Sequence, residues 1–448
     1  MRATLIALVF VGGCSGSGRS GGGTVLPPDL SACVGLGCNV QACAADSPTT
    51  LVGTLFAPNG LDPVPNATVY VPQGQLVPFS DSVACDLCGG GGTLAGAVTS
   101  TTTRYDGGFT LPGVPVGDKI PLVIELGRFR RVVTVTVQKC QQNLVPKDPN
   151  VFGVRLPGKD GDLSPDDHVP RIAVATGDYD QIECVLGRMG LSQLDLYNDR
   201  DPGTTLPATI GELDALLNDI VKLKKYNILM INCTQAQFET SLAKPGVIKN
   251  LEDYVASGGR LYATDWAYDM INQVPGFAPF LCFVPGGVDG PSPPPMCAGT
   301  PGVPREAHST TAWSTGAIVH DPTLLKWLSI FPGTLVNNQV AVAYNFVVVN
   351  HVGDAMSHPT TTWVDGDATD PGALPQLGKG VRPMTVTFDY KQCGRVHYST
   401  YNTEPNATVL DTATYRFPTC NNRTTFNPQE RLLEYLIFET AQCVGPIG

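Results

Sequence analysis

Three carboxylates, Asp178, Asp265 and Glu404, are the side chains whose positions in the sequence could do chemistry. Asp178 and Asp265 each follow directly on an apolar run, 171–177 and 260–264, and open α/β sheets place ligands just beyond the C-terminal ends of such strands. Converging there with Glu404, they could hold a divalent cation or share the acid and base roles of a hydrolysis. The simpler use of an aspartate at a strand end is to cap the helix that follows, and Thr264-Asp265 ahead of Trp266 suits it. Cys233 ends another apolar run, and Cys184 lies in a helix expected at 180–189, whose start lies near neighbouring strand ends. A Cys184 to Cys233 disulfide is therefore expected rather than a nucleophile. Cys282 and Cys297 are a second expected pair, closing a loop of roughly fifteen residues for about 3 kcal/mol in the chain-entropy model. His308, His320, His351 and His358 are too dispersed for a ligand pair, and the acidic loops at 159–168 and 365–370 lack calcium-loop spacing. Neither a metal nor a cofactor is expected.

The elements that must position these residues are legible from apolar periodicity. Strands are expected at 171–177, 194–197, 227–233 and 260–265, and helices at 180–189, 210–223 and 247–257. That alternation implies a parallel sheet covered on both faces, a flavodoxin-like α/β domain over 170–448 with an insertion at about 274–380. Upstream, 50–137 reads as short strands separated by turn residues such as Pro58-Asn59-Gly60 and Asp106-Gly107-Gly108, which predicts a small all-β sandwich within 33–150. Arg128, Arg130 and Arg131 read as charges guarding an exposed strand edge, and 151–169, with Asp160, Asp162, Asp166 and Asp167, as a solvated linker. The chain is thus expected to be multidomain, an all-β sandwich followed by a parallel-sheet α/β domain.

Composition bounds the setting. Fourteen cysteines in 448 residues suit an oxidising compartment in which they pair and persist. A net charge of -11 argues against nucleic acid as a partner. Six thiols, Cys33, Cys38, Cys43, Cys85, Cys88 and Cys140, precede the linker, an even number that three bridges could consume. Cys85-Asp-Leu-Cys88 has no second such pair to complete a zinc cluster, and the glycines after it supply no helix to acidify a thiol.

Three stretches carry resemblances. Arg2, the apolar run 5–11 and Val11-Gly12-Gly13-Cys14 resemble a bacterial lipoprotein signal over 1–13 with its lipobox; the run is too short to span a bilayer. The resemblance implies acylation of Cys14, with 14–32 as a Gly/Ser-rich tether, and Ser15 in place of aspartate implies the outer membrane, on its periplasmic or cell-surface face. "GTLFAPNG", "PVPNATVYVP" and "TTTRYDGGFTLPGVPVGDKIPLVIELGRFRR" resemble a carboxypeptidase regulatory-like domain, a transthyretin-type sandwich, which implies a non-catalytic stalk, spacer or docking surface. "YNILMINC", "NLEDYVASGGRLYATDWAYD", "GRVHYSTYNTE" and "NPQERLLEYLIFETAQC" resemble class I glutamine amidotransferase-like domains, and the two-domain plan is similar to that of a group of myxobacterial lipoproteins.

In active amidotransferases a cysteine at a strand-to-helix elbow attacks an amide, and a His-x-Glu pair from a later strand activates it. The corresponding elbow here holds Asp265, and the His-x-Glu position reads Asn402-Thr403-Glu404. Asparagine takes no proton near neutral pH, and His397 lies five residues upstream, an offset that puts it on the opposite strand face. The resemblance therefore implies the fold without the mechanism. The expectation is an outer-membrane lipoprotein that binds or scaffolds without catalysis. Its partners would be the membrane, through the lipid, and an envelope protein or polysaccharide. The alternative is an envelope hydrolase using Asp178, Asp265 and Glu404, with or without a metal.

Overall fold

Alternation of apolar and polar side chains builds the N-terminal part as two small sheets. The strands are β1 (Thr50–Phe56), β2 (Thr68–Pro72), β3 (Ala97–Thr102), β4 (Gly108–Pro112), β5 (Gly117–Leu126), β6 (Phe129–Val137), β7 (Gln142–Leu144) and β8 (Val154–Arg155). They pair as β4-β1-β7, with β8 on β1, and as β3-β2-β5-β6. Leu51, Leu55 and Phe109 of one sheet and Leu122 and Ile124 of the other fill a common core. The computed structural model describes residues 33, 35–86, 96–146, 153–199, 209–234, 241–244, 246–283, 308–368, 380–403 and 417–444. Cys14, Cys88, Cys297 and Glu404 lie outside them.

The C-terminal part begins with strands whose central members are largely apolar, as burial on both faces demands. These are β9 (Ile172–Thr176), β10 (Leu194–Asn198), β11 (Thr209–Glu212), β12 (Ile228–Ile231) and β13 (Arg260–Thr264); β9, β12 and β13 are buried at every position. The chain continues through β14 (Leu281–Cys282), β15 (His308–Val319), β16 (Leu335–Val336), β17 (Gln339–Val347), β18 (His351–Val352), β19 (Thr360–Asp367), β20 (Val381–Tyr390) and β21 (Gly394–Ser399). All but β14 and β18 join one sheet of eleven strands, in the order β11-β10-β9-β12-β13-β21-β20-β19-β15-β17-β16. The first six run parallel and the rest antiparallel. The order reverses between β9 and β12, the switch point at which such sheets open a crevice.

Two sequence expectations change here. The insertion, in which the periodicity predicts no strand, supplies β15, β16, β17 and β19 of the antiparallel part of the sheet, where β15 and β19 carry β-branched and aromatic residues on either side of Pro- and Gly-rich segments. The single helix expected over 210–223 splits into β11 and two short helices, Leu213–Leu217 and Ile220–Leu223. The Asp219 side chain accepts from the Val221 and Lys222 backbone N–H groups and starts a new helix at that point.

The helix Pro428–Ala441 joins the parts. Asn427 and Glu430 form a capping box at its start, with proline at the first turn. Leu433, Ile437 and Phe438 enter the core shared with the small sheets, while Leu432, Tyr435 and Leu436 pack under the antiparallel extension. Gly35–Gly448 is one compact unit, and its first core runs without a break from Leu51 to Ile172 and Ile437. Among the described residues no helix is long and apolar enough to cross a membrane.

The arginines and the acidic segment also differ from their sequence reading. Arg131 is fully buried, its guanidinium on Asp167 at 2.5 Å and Asp162 at 2.8 Å, while Arg128 meets Asp86 at 3.0 Å. Asp167 also accepts from the backbone N–H groups of Val132, Leu163 and Ser164. The segment expected as a solvated linker is therefore folded against β6, because a buried guanidinium needs carboxylate partners. Cysteine pairing departs likewise. Cys43 joins Cys140, but Cys85 leaves the N-terminal set to join Cys393 at the β20–β21 turn.

Candidate functional site at the C-terminal edge of the parallel sheet

Asp178 and Asp265, the two expected carboxylates among the described residues, lie where the parallel strands end. After β9, Gly177 makes a turn so close to β12 that a Cβ would stand 2.1 Å from the Cys233 carbonyl oxygen, and Asp178, Tyr179 and Asp180 follow. β12 runs on to Asn232, Cys233 and Thr234. β13 ends at Thr264, and Asp265 turns the chain with φ +43°, a left-handed conformation rare outside glycine. Beyond β21 come Asn402 and Thr403.

Two clusters result. In the first, the Cys233 thiol donates to Asp265 Oδ2 at 3.5 Å, Cys233 being 2% exposed and Asp265 fully buried. Asp180 beside them is saturated: Oδ2 accepts from Thr264 Oγ1 at 2.8 Å, and Oδ1 from the N–H groups of Gln181 at 2.8 Å and Thr403 at 3.1 Å and from the Thr403 hydroxyl. In the second, Thr234 Oγ1 lies 2.9 Å from Asp178 Oδ2 and from the Asp199 carbonyl oxygen. Among the described residues no group of three histidine, cysteine or acidic side chains is placed to hold a metal ion.

Burial sets the protonation. It pushes the Asp265 carboxyl well above the carboxylate range, against the hydrogen bond from Cys233 and with help from the charge of Asp180. Burial pushes Asp180 up to about 6, opposed by its bonds from Thr403 and Thr264. It raises the Cys233 thiol, as does Asp265 beside it. Burial raises Asp199 also, aided by Asp178, Glu212 and Asp214. The thiol thus holds its proton near neutrality, and a protonated thiol is a poor nucleophile and metal ligand.

Several site expectations are corrected. Asp265 does not cap the turn that follows; its side chain points to Cys233. Cys184 is not bonded to Cys233: it joins Cys420, with Cα atoms 5.5 Å apart, and Cys233 is free and buried. The face of the helix Ile182–Arg188 that carries Cys184 looks toward 417–420, where Phe417 lies against Gly187, while Cys233 faces inward from its strand end. Cys282 is disulfide-bonded, and Cys297 lies outside the described residues. Asp178 is half-exposed and bonds Thr234; the carboxylate that neighbours Asp265 is Asp180, which sequence reasoning passed over as a helix residue although it sits two positions beyond Asp178 on the same strand end. His397 is buried on the face packed by Tyr262 and Thr440, and burial first, then Arg395, lowers it to about 3.

A second concavity, of about 680 Å³, opens at the other end of the parallel strands. Arg171 and Asn227, just ahead of β9 and β12, form one wall with Lys225; the loop 76–81 and the segment 160–168 form the other.

No family model and no curated protein matches this chain. Among solved structures, it is similar to a ThuA-like protein from Bacteroides uniformis, at 9% identity over 60% of this chain and 90% of that one, with a TM-score of 0.31. A ThuA-like protein from Parabacteroides merdae shares 13% identity over 58% of this chain and 98% of its own, with a TM-score of 0.32. A cytoplasmic protein from Salmonella typhimurium shares 10% identity over 60% and 98%, with a TM-score of 0.30. At these values the likeness carries no argument about a role, and the architecture rests on the strand order above.

Proposed function

We propose that this protein is an outer-membrane-anchored lipoprotein that binds or scaffolds other envelope components without catalysis. Its N-terminal sandwich, of carboxypeptidase regulatory-like type, is joined to an amidotransferase-like α/β part that has lost its machinery. The observation that carries the reading is the Cys233 to Asp265 pair: a fully buried carboxyl occupies the elbow, with a buried thiol bonded to it. Asn402 at the base position supports it further. The anchor rests on the lipobox-like run ending at Cys14.

The positive φ of Asp265 favours a second reading, because nucleophile elbows are strained in this way. In that reading the protein is an envelope hydrolase in which Asp178, Asp265 and Glu404 act together. One experiment separates the two. The purified protein is mixed with isolated envelope fragments, and separately with glutamine and with 4-nitrophenyl esters and glycosides. Binding is expected to retain it on the fragments with no product released. Turnover that disappears in Asp265→Asn would overturn the binding reading in favour of the hydrolase.

A further inference from the structure

The concavity at the N-terminal ends of β9 and β12 has walls of opposite character. On the α/β wall every offered group is a donor. Arg171 is 45% exposed, its guanidinium over the Tyr226 ring at 5.2 Å and only loosely engaged by Asp195 at 3.6 Å. Lys225 is exposed, and among the described residues no acid pairs with it. Asn227 gives its side-chain oxygen to the Arg171 backbone N–H at 2.8 Å, which leaves its NH2 to offer. Three converging donors, two of them cationic, match a carboxylate.

The opposite wall offers acceptors. His168 Nδ1 lies 2.8 Å from the Arg128 carbonyl oxygen, which can only accept, so Nδ1 carries a hydrogen, and in the neutral ring Nε2 presents a lone pair. Asp81 and Asp166 stand exposed at the rim. Asp160 and Asp167 also line the cleft, but Asp160 accepts from Val169 N–H and Gln193, and Asp167 is bonded to Arg131. Between the walls lie Leu76, Pro78, Phe79 and Pro165, with the Phe79 ring held by Arg130 at 4.2 Å and His168 at 4.7 Å.

We infer that this cleft receives an acidic segment of another polypeptide: carboxylate on Arg171, Lys225 and Asn227, backbone N–H groups toward His168 Nε2, and an apolar side chain against Phe79 and its neighbours. The inference rests on the binding reading above and names its partner. A peptide offers all three functions at once. An acidic polysaccharide lacks apolar side chains, and its closely spaced charges meet Asp81 and Asp166; a free phosphate fills neither the apolar strip nor the acceptors. The volume suits a short segment, since ligand pockets run to about 300–1,000 Å³.

The test uses a fluorescein-labelled peptide, Gly-Ser-Gly-Ala-Leu-Glu-Phe with a free C-terminal carboxylate, and a neutral form with glutamine for glutamate and an amidated terminus. Fluorescence polarisation on the full chain is expected to show the neutral form bound about tenfold more weakly or worse. Lys225→Glu and Arg171→Ala are each expected to lower affinity for the acidic form about tenfold, with unchanged melting temperature because both side chains are exposed. Equal affinity for the two peptides, indifference to both substitutions, or displacement by oligogalacturonate or inorganic phosphate would overturn the assignment. Envelope fragments retained equally by wild type and Lys225→Glu, without peptide binding, would overturn the cleft and leave the broader binding reading standing. Turnover in the substrate assays would remove that broader reading whatever the peptide does.

Discussion

Asp180 shows how burial converts a surface-type residue into a pH-dependent load on the fold. Its carboxyl holds a proton to about pH 6 in the folded protein and releases it near 3.8 in the unfolded chain. A raised carboxyl favours the folded state most below the unfolded value, and the advantage is lost as pH rises through the folded one, a difference of about 2 kcal/mol between about pH 4 and about pH 7. Asp180→Asn removes this dependence while leaving an oxygen to accept from Gln181 and Thr403. In urea titrations across that range the variant should lose much less stability than wild type; parallel profiles would refute the protonated reading. Cys233 tests the neighbouring cluster. Buried and bonded to Asp265, it should resist iodoacetamide in the folded protein and react on unfolding, and the protein should not hydrolyse glutamine before or after Cys233→Ser. Rapid native alkylation would contradict the sealed site.

Among the elements, the turn of the β5–β6 hairpin lies directly against the end of the C-terminal helix. Gly127 at the hairpin turn has φ +55°, and a Cβ there would stand 1.5 Å from the Ala441 carbonyl oxygen. Both terms oppose any side chain: the left-handed conformation strains it, and the clash is with backbone that cannot swing aside. Gly127→Ala should therefore lose about 3 kcal/mol or more in chemical denaturation, whereas Gly113→Ala, also at positive φ but in open space, should lose about 1 kcal/mol. Equal losses would mean that the hairpin does not bear on the helix.

For the molecule as a whole, the Cys85 to Cys393 bridge, the Arg431 to Asp62 ion pair at 2.7 Å and the Trp327 Nε1–H bond to the Pro63 carbonyl at 2.7 Å tie the sandwich to the sheet far from any linker. Ties of this kind hold the two walls of the cleft opposite one another within one compact unit. The proposed anchor is a separate matter at the same scale. Cys14→Ser should move the protein from the membrane fraction to the soluble envelope fraction, since acyl chains are the strong membrane affinity the sequence offers. Persistence in the membrane fraction at both low and high salt would sink the lipid anchor.

Local pattern was enough for some of this. The apolar runs of β9, β12 and β13 announced a parallel sheet because strands covered on both faces have no polar side to show. The residue types at the positions that the amidotransferase resemblance implies for nucleophile and base, Asp265 and Asn402, were likewise legible, because residue identity is read directly from the sequence. Partnership was not. Cys184 meets Cys420 across 236 residues and Cys85 meets Cys393 across 308, and no spacing rule specifies which distant thiols the packing of other elements brings to a common point. Asp180 rather than Asp178 faces Asp265 because the turn at Gly177 decides which side chain of the strand end enters the interior. The cleft is assembled from residues 76–81, Arg130, 160–171 and 225–227, so its donors and acceptors become a site only when long-range packing sets these stretches opposite one another.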